Sequence, residues 1–211
     1  MLIPMASPVL TTPIIPGPSR IPLNVQHTVV LTNYESPTRF WLRLADSRLP
    51  YIKNFVNGVN KHLYSVELGQ YCVADTRTVV DLVRARVTDV HRNSVGFDVA
   101  AEVFCVDHGL TLVLGLDRLY PLLEEDAKTP SLAIPCCLQG LATCSRRPPT
   151  WRVRPGSKLE AVFVGLTATG VFLTKLFSFL DKGGMVVKWN VADDFIQSKE
   201  VAEIRYLQPK K

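Results

Sequence analysis

The feature that most constrains this fold is the alternation of apolar and charged residues in short segments. In residues 82–87 (LVRARV), Val83 and Ala85 fall on one face of an extended chain, whereas Arg84 and Arg86 fall on the other. Period-two alternation of this kind predicts a strand with one buried face. The chain should therefore be built largely from short β-strands.

The same reasoning predicts strands elsewhere along the chain. With the segment above included, they span residues 38–44, 71–75, 82–90, 97–107, 110–114, 158–165, 170–176 and 186–189. Only two helices are predicted. One follows Asp46 and Ser47, a candidate N-cap, with apolar residues at helical spacing as far as Leu63, and the other follows Asn190. Because strand outweighs helix, the predicted fold class is mainly β with a few helices (α+β).

Composition is that of a packed intracellular domain. The 211 residues are 47% hydrophobic and 20% charged, which is enough to bury one good core or two small ones. No apolar run approaches the roughly 20 residues that a membrane span needs, so no membrane partner is expected. Five cysteines without CxxC spacing favour reduced, buried thiols. The net charge of +5 permits contact with nucleic acid without implying it.

The N-terminal segment has a different composition. Residues 1–22 hold six of the fifteen prolines and a single charge, on Arg20. Proline removes backbone donors and restricts the chain, so a helix or a sheet is disfavoured here. We predict a disordered, proline-rich linker over residues 1–24, as is typical of a piece cut from a longer protein.

Three motifs together resemble a known family. Residues 103–109 (VFCVDHG) resemble the V-F-[aromatic]-I-D-Y-G-N signature of the Tudor barrel. Residues 82–87 (LVRARV) resemble its W-Y-R-A-x-V strand, and residues 69–74 (GQYCVA) resemble its opening G-x-x-C-x-A strand. The three stretches occur in the order of the family and at nearly its spacing, so the resemblance implies a Tudor barrel over about residues 68–122.

The resemblance extends to the flanking sequence. Residues 130–140 (PSLAIPCCLQG) resemble the P-x-x-A-x-x-C-x-L segment that follows the barrel in extended Tudor domains, and residues 186–202 resemble their final strand and helix. The implied fold is a Tudor barrel inserted in a staphylococcal-nuclease-like (OB-type) barrel. That second barrel would come from about residues 25–67 and 130–208, giving one extended Tudor domain over residues 25–208.

The family's methylarginine cage is where this chain departs from the pattern. Family members place four aromatic side chains and one asparagine around the methylated guanidinium, which is attracted to the aromatic faces. The matching positions here are Thr76, Val83, Cys105, His108 and Leu110. Only His108 has a ring, and a protonated His108 would repel a cation. The resemblance therefore implies a barrel with a degenerate cage.

Residues that hold the family's barrel together are retained. Arg84 and Asp107 match the positions of a structural ion pair between neighbouring strands, and Gly109 matches the tight turn after the third strand. A partly buried pair fixes geometry better than it binds a ligand, so we interpret both charges as structural.

A basic segment offers a second interpretation. Residues 145–156 (SRRPPTWRVRPG) are a proline-rich connector whose candidate RNA contacts are Arg146, Arg147, Trp151, Arg152 and Arg154. Arginines beside an aromatic platform suit single-stranded RNA. A stiff connector with solvated arginines explains the same residues, and we favour it because no second aromatic lies nearby.

Motifs for catalysis, metals and cofactors are missing from the sequence. The four histidines are scattered, and no Walker loop, GxSxG or HExxH occurs. The expected function is non-catalytic binding of an arginine-containing N-terminal tail of a Piwi-clade Argonaute, with unmethylated arginine preferred or tolerated. The resemblance also implies a scaffold of the piRNA pathway in cytoplasmic, perinuclear germline granules (nuage). An RNA-binding module and a structural or self-association domain are the alternatives.

Overall fold

The computed structural model of the chain describes residues 13–52, 61–77, 82–143, 153–182, 185–193 and 201–203. Within these residues the strands are β1 (Gln26–Ser36), β2 (Arg39–Leu44), β3 (Tyr71–Asp75), β4 (Leu82–Arg92), β5 (Asp98–Cys105), β6 (Leu110–Gly115), β7 (Leu119–Pro121), β8 (Ile134–Leu138), β9 (Leu141–Thr143), β10 (Lys158–Leu166), β11 (Phe172–Lys182), β12 (Met185–Asn190) and β13 (Val201–Glu203). Helical structure is limited to a 3-10 turn (Leu116–Arg118), helix α1 (Glu124–Ala127) and residues 191–193. The prediction of a mainly β fold is confirmed.

The described residues form two compact units. The first contains residues 13–16, 50–104 and 112–130, and the second contains residues 17–49, 105–111 and 131 onwards. Each unit is thus assembled from separate stretches of sequence.

The second unit contains a six-stranded sheet in the order β10-β1-β2-β8-β11-β12. Strand β10 also pairs with β11, so five of these strands close into a barrel and β12 lies outside it. Alternating apolar residues fill the barrel, as period-two patterning requires. Its fully buried side chains include Val29, Leu31, Phe40, Leu42 and Phe163. The register sets Leu31 opposite Leu42, so buried apolar side chains of β1 and β2 meet across the pair.

The first unit carries a five-stranded sheet in the order β6-β5-β4-β3-β7. Register places Cys72 opposite Ala85 and Ala74 opposite Val83. Val83, Ala85 and Val87 are buried and Arg86 is exposed, as the alternation predicts. The prediction for Arg84 is wrong: the alternation places its side chain on the outer face with Arg86, but the side chain is 0% exposed. Its guanidinium donates to backbone carbonyls, one in a buried and two in part-buried hydrogen bonds, which strand periodicity does not reveal.

Several element predictions are confirmed and several need correction. Strand β3 has the predicted bounds, whereas the strand predicted over residues 97–107 is shorter and ends at Cys105. The residues directly after Asp46 and Ser47 are not helical, so this pair caps no helix there, and most of the predicted helix lies outside the described residues. Asn190 does accept a hydrogen bond from the backbone N–H of Ala192 (3.1 Å), as an N-cap would.

The described part of the N-terminal segment is more buried than a linker. Residues 13–24 contain neither helix nor strand. Ile15 and Ile21 are nevertheless only 3% and 8% exposed, and Ile21 belongs to the core of the second unit. The disordered, proline-rich linker predicted over residues 1–24 thus includes at least two residues that are buried in the structure.

Candidate functional site

The turn between β5 and β6 is the most tightly built part of the candidate site. The backbone N–H groups of His108 and Gly109 both donate to the Cys105 carbonyl, at 3.1 and 2.8 Å. Gly109 has a φ of +72°, and a Cβ there would lie 2.1 Å from Cγ of Trp41. Only glycine satisfies both the left-handed backbone and this close approach.

Side chains and backbone from the second unit hold the same turn in place. The Asn33 side-chain amide donates to the Gly109 carbonyl (2.7 Å). The Asp107 carboxylate accepts from the backbone N–H of Leu132 (3.2 Å), and the Ala133 N–H donates to the Val106 carbonyl (3.1 Å). These bonds fix the backbone on both sides of His108.

His108 has an unusual environment on this turn. Its ring is half-buried, and its Nδ1 atom is buried with no hydrogen-bond partner among the described residues. Burial lowers the pKa of His108 below its ordinary value; Asp107 opposes that shift and Arg43 reinforces it. The ring is therefore a neutral imidazole at neutral pH, and it carries no charge to repel a guanidinium.

The other cage-equivalent positions fall into two groups. Val83 and Cys105 are 5% and 1% exposed, so both are core side chains, and burial with help from Asp107 raises the pKa of the Cys105 thiol to about 12. Thr76, just after β3, is half-buried, and Leu110, at the start of β6, is 40% exposed.

Strand register and the turn bring these positions together in two sets. Val83 lies opposite Ala74, two residues before Thr76, in the first unit. Cys105, His108 and Leu110 flank the turn in the second unit. An aromatic side chain stands at none of the five positions apart from the imidazole of His108.

Arg84 organises the connector around α1 rather than facing solvent. Its guanidinium donates to the carbonyls of Asp126 (2.9 Å), Thr129 (2.5 Å) and Pro130 (2.9 Å). Asp107 is also buried, at 2% exposure. Both side chains are buried, while their structural role and a direct ion pair between them stay predictions.

Two residues near the turn were not identified from the sequence. Trp41 is 6% exposed, its edge contacts Gly109, and the Arg39 guanidinium lies 5.5 Å from the centroid of its ring. Asn33 holds the Gly109 carbonyl. Asn33 and Trp41 lie on strands that precede the turn by more than 60 residues; Asn33, for example, is 76 residues before Gly109. No local sequence pattern could therefore have revealed these contacts.

Of the candidate RNA contacts in the basic connector, Arg154 lies within the described residues. Arg146, Arg147, Trp151 and Arg152 lie outside the described residues. Arg154 is exposed, and its carbonyl accepts a hydrogen bond from the Ser157 N–H (3.0 Å) at the entry to β10.

The described part of the chain contains no group of three or more His, Cys, Asp or Glu side chains that could hold a metal ion. None of its helices is long and apolar enough to cross a membrane.

Comparison with known proteins identifies the family. The Tudor domain family model matches residues 21–140, and the chain belongs to that family. No curated protein sequence matches it.

Solved structures extend the match beyond the family model. The human TDRD1 extended Tudor domain, solved with a symmetrically dimethylated peptide, superposes with a TM-score of 0.73 at 16% identity, covering 90% of this chain and 96% of that one. An extended Tudor domain of mouse TDRD1, with a dimethylarginine-containing MILI peptide, gives 0.67 at 17% identity over 90% and 99%. The Drosophila melanogaster Papi extended Tudor domain, with an unmethylated Piwi N-terminal peptide, gives 0.64 at 17% identity over 85% and 99%. The chain therefore has the extended Tudor fold.

Proposed function

We propose that this chain is a non-catalytic interaction module that binds an arginine-containing N-terminal tail of a Piwi-clade Argonaute, and that it does not require arginine methylation. Domains of the same fold have been solved with dimethylated MILI and Piwi peptides and with an unmethylated Piwi peptide. The Tudor family assignment and this range of ligands support an arginine tail as the ligand here.

The observation that carries the proposal is the burial of Val83 and Cys105. An aromatic cage holds a methylated guanidinium through cation–π attraction, by about 0.5–2 kcal/mol for each face depending on desolvation. Val83 and Cys105 offer no such face, and both side chains are taken up by the core. Symmetric dimethylation would then remove two N–H donors from the arginine without a compensating gain.

Polar groups near the cage positions suit a bare guanidinium better. Thr76 offers a hydroxyl, and His108 offers a neutral ring. Glu67 is exposed, and the Asp75 carboxylate has its Oδ2 atom 3.7 Å from Nε of Arg77, showing that it already attracts one guanidinium. Asp81, a third carboxylate close to these positions in sequence, lies outside the described residues.

Calorimetry with matched peptides tests the proposal. Three Piwi-type tails would be compared, with unmethylated arginine, with symmetrically dimethylated arginine and with lysine in its place. We expect the unmethylated tail to bind at least as tightly as the dimethylated one, and the lysine tail to bind more weakly. A clear preference for the dimethylated tail would contradict the proposal that binding does not require methylation. It would indicate that other aromatic residues, such as Tyr71 or Phe104, form a cage.

A matched pair of histidine variants localises the binding. His108→Ala should weaken the unmethylated tail several-fold, whereas His91→Ala, on the exposed end of β4, should not change it. Equal loss in both variants would place the site elsewhere. If none of the tails binds, and a single-stranded RNA oligomer binds with an affinity that falls steeply with salt, the domain is an RNA-binding module instead.

We also propose the cellular setting and the domain bounds on the same basis. A Piwi-tail reader would work in a piRNA-pathway scaffold in cytoplasmic, perinuclear germline granules, and imaging of the tagged protein in germ cells tests that placement. The extended Tudor domain would span residues 25–208. Limited proteolysis followed by mass spectrometry should recover a stable fragment close to these bounds.

A further inference from the structure

Strand β6 is an uncharged strand at the edge of its sheet. In the order β6-β5-β4-β3-β7 it is hydrogen-bonded to β5 only, among the described residues. Alternate N–H and C=O groups of an edge strand point away from the sheet and can template another strand. Natural proteins usually blunt such edges with lysine, proline or a bulge. The sequence of β6, LTLVLG, has no charge and no proline.

The side chains of β6 are also accessible. Val113 is 61% exposed and Leu110 is 40% exposed, and Thr111 between them is exposed as well. Short uncharged segments of this composition pair readily with another extended chain. An apolar, β-favouring edge that stays open to solvent indicates a surface that another strand covers.

The strand is complementary to itself. In an antiparallel pair centred on Leu112, Leu110 of one copy lies opposite Leu114 of the other, and Thr111 lies opposite Val113. No two like charges meet, and β-branched residues form the cross-strand pairs that stabilise sheets. A two-fold arrangement of this kind is the commonest route to a homodimer. We propose that β6 is a self-association edge and that its partner strand is β6 of a second copy of this chain.

The proposed dimer should be weak. One pair of short strands buries less than the roughly 1,200–2,000 Å² of a stable standard interface. The dimer should therefore form in the micromolar range or above and dissociate on dilution. The pair includes Leu110, which is also a cage-equivalent residue, but Val113, the position that the test changes, is not one of the five.

Analytical ultracentrifugation over a hundredfold concentration range tests the inference. The parent chain should shift from monomer to twice the monomer mass as concentration rises. Val113→Lys should hold the protein as a monomer, because two lysines would meet the opposing edge. The matched control is Val95→Lys, since Val95 is 76% exposed on the β4–β5 turn, and this variant should dimerise like the parent.

Other outcomes overturn the proposal. A parent chain that stays monomeric throughout would remove the self-pairing. A dimer that survives Val113→Lys, or that Val95→Lys also abolishes, would show that a different surface associates. Circular dichroism melting curves of both variants establish that they are folded, and Thr111→Lys supplies a second edge variant if Val113→Lys does not fold.

Discussion

Replacing Arg84 should cost substantial stability. Arg84→Met would leave three carbonyls without their donor, one in a buried and two in part-buried hydrogen bonds, at a cost on the order of 3 kcal/mol or about 10 °C in melting temperature. Arg86→Met, on the exposed face of the same strand, should change little. Urea denaturation of the two variants checks the difference. Similar losses in both would mean that the carbonyl contacts of Arg84 contribute little.

The same physical argument covers Asp107. Its carboxylate is buried and accepts the Leu132 N–H, so Asp107→Ala should also lower the melting temperature. If Asp107→Ala instead loses peptide binding with an unchanged melting curve, both Asp107 and Arg84 would belong to the ligand site.

Gly109 should be intolerant of even one methyl group. Gly109→Ala would place Cβ 2.1 Å from Cγ of a buried tryptophan, Trp41, and would strain a backbone with a φ of +72°. Gly96 has a φ of +90° but open space around it, so Gly96→Ala should cost only about 1 kcal/mol of backbone strain. Thermal unfolding should show a much larger loss for Gly109→Ala. Equal losses would mean that Trp41 moves aside freely.

The buried ring of His108 should make stability depend on pH. Its pKa in the fold is lowered, mainly by burial, so the unfolded state takes up a proton first as the pH falls. The free energy of unfolding should then decrease below about pH 6.5, the ordinary value for histidine. His108→Gln should flatten that decrease, whereas His91→Gln on the exposed end of β4 should not. Urea titrations at pH 5, 6 and 7 would measure it, and an unaltered slope in His108→Gln would contradict the assignment.

At the scale of elements, local patterns predicted only some of the strands, and they missed β7, β9 and also β1, although β1 pairs with its neighbour β2. Strands β3 and β4 pair with each other; β3 has the predicted bounds, and β4 extends two residues past its predicted end at Val90. Strands β8 and β13 were not predicted, since β8 obtains its partners from β2 and from a parallel alignment with β11, and β13 pairs with the distant β9. A strand of three to five residues carries too little periodicity to be recognised without its neighbours.

The contacts of Lys188 should make a measurable contribution to stability by linking β12 to the barrel. Its ammonium lies 2.5 Å from the Glu160 carboxylate, 3.2 Å from the Gln26 side-chain oxygen and 4.6 Å from the centroid of the Phe177 ring. Among the described strands β12 pairs with β11 alone, so these contacts reach β10 and β1 across the sheet. Lys188→Met should lower stability by about 1 kcal/mol, because the group is partly solvated.

The matched control for Lys188 is Lys175, an exposed residue of β11. Lys175→Met should have almost no effect, and added salt should reduce the difference between the two variants because ionic contacts are screened. A Lys188→Met protein as stable as the parent at low salt would show that β12 is held by its backbone pairing alone.

At the scale of the whole molecule, the basic connector should be dispensable for folding. Replacing Arg146, Arg147, Arg152 and Arg154 by Ser should leave the melting temperature and the affinity for a peptide tail nearly unchanged, because solvated charges contribute little. Melting curves and calorimetry on the substituted chain test this. Loss of an RNA oligomer that the parent chain binds would favour the RNA interpretation.

The sequence predicted the class of this molecule better than its site. Motif order identified the family, and the missing aromatics at Val83 and Cys105 were visible directly. The contacts that shape the turn could not be predicted, because Asn33 and Trp41 reach Gly109 from strands far away in sequence. Arg84 was predicted to be structural, but its carbonyl partners around α1 depend on tertiary packing.

The pairing of β1 with β10 also has a consequence for folding during synthesis on the ribosome. Gln26 aligns with Val162, so β1 leaves the ribosome roughly 130 residues before the strand that covers it. At about 5–20 residues per second, that interval is on the order of 10 s. During this time the apolar face of β1, which carries Val29 and Leu31, has no finished barrel to enter. We therefore expect the nascent chain to expose this apolar face until β10 has been translated, which is the situation in which chaperones protect a growing chain.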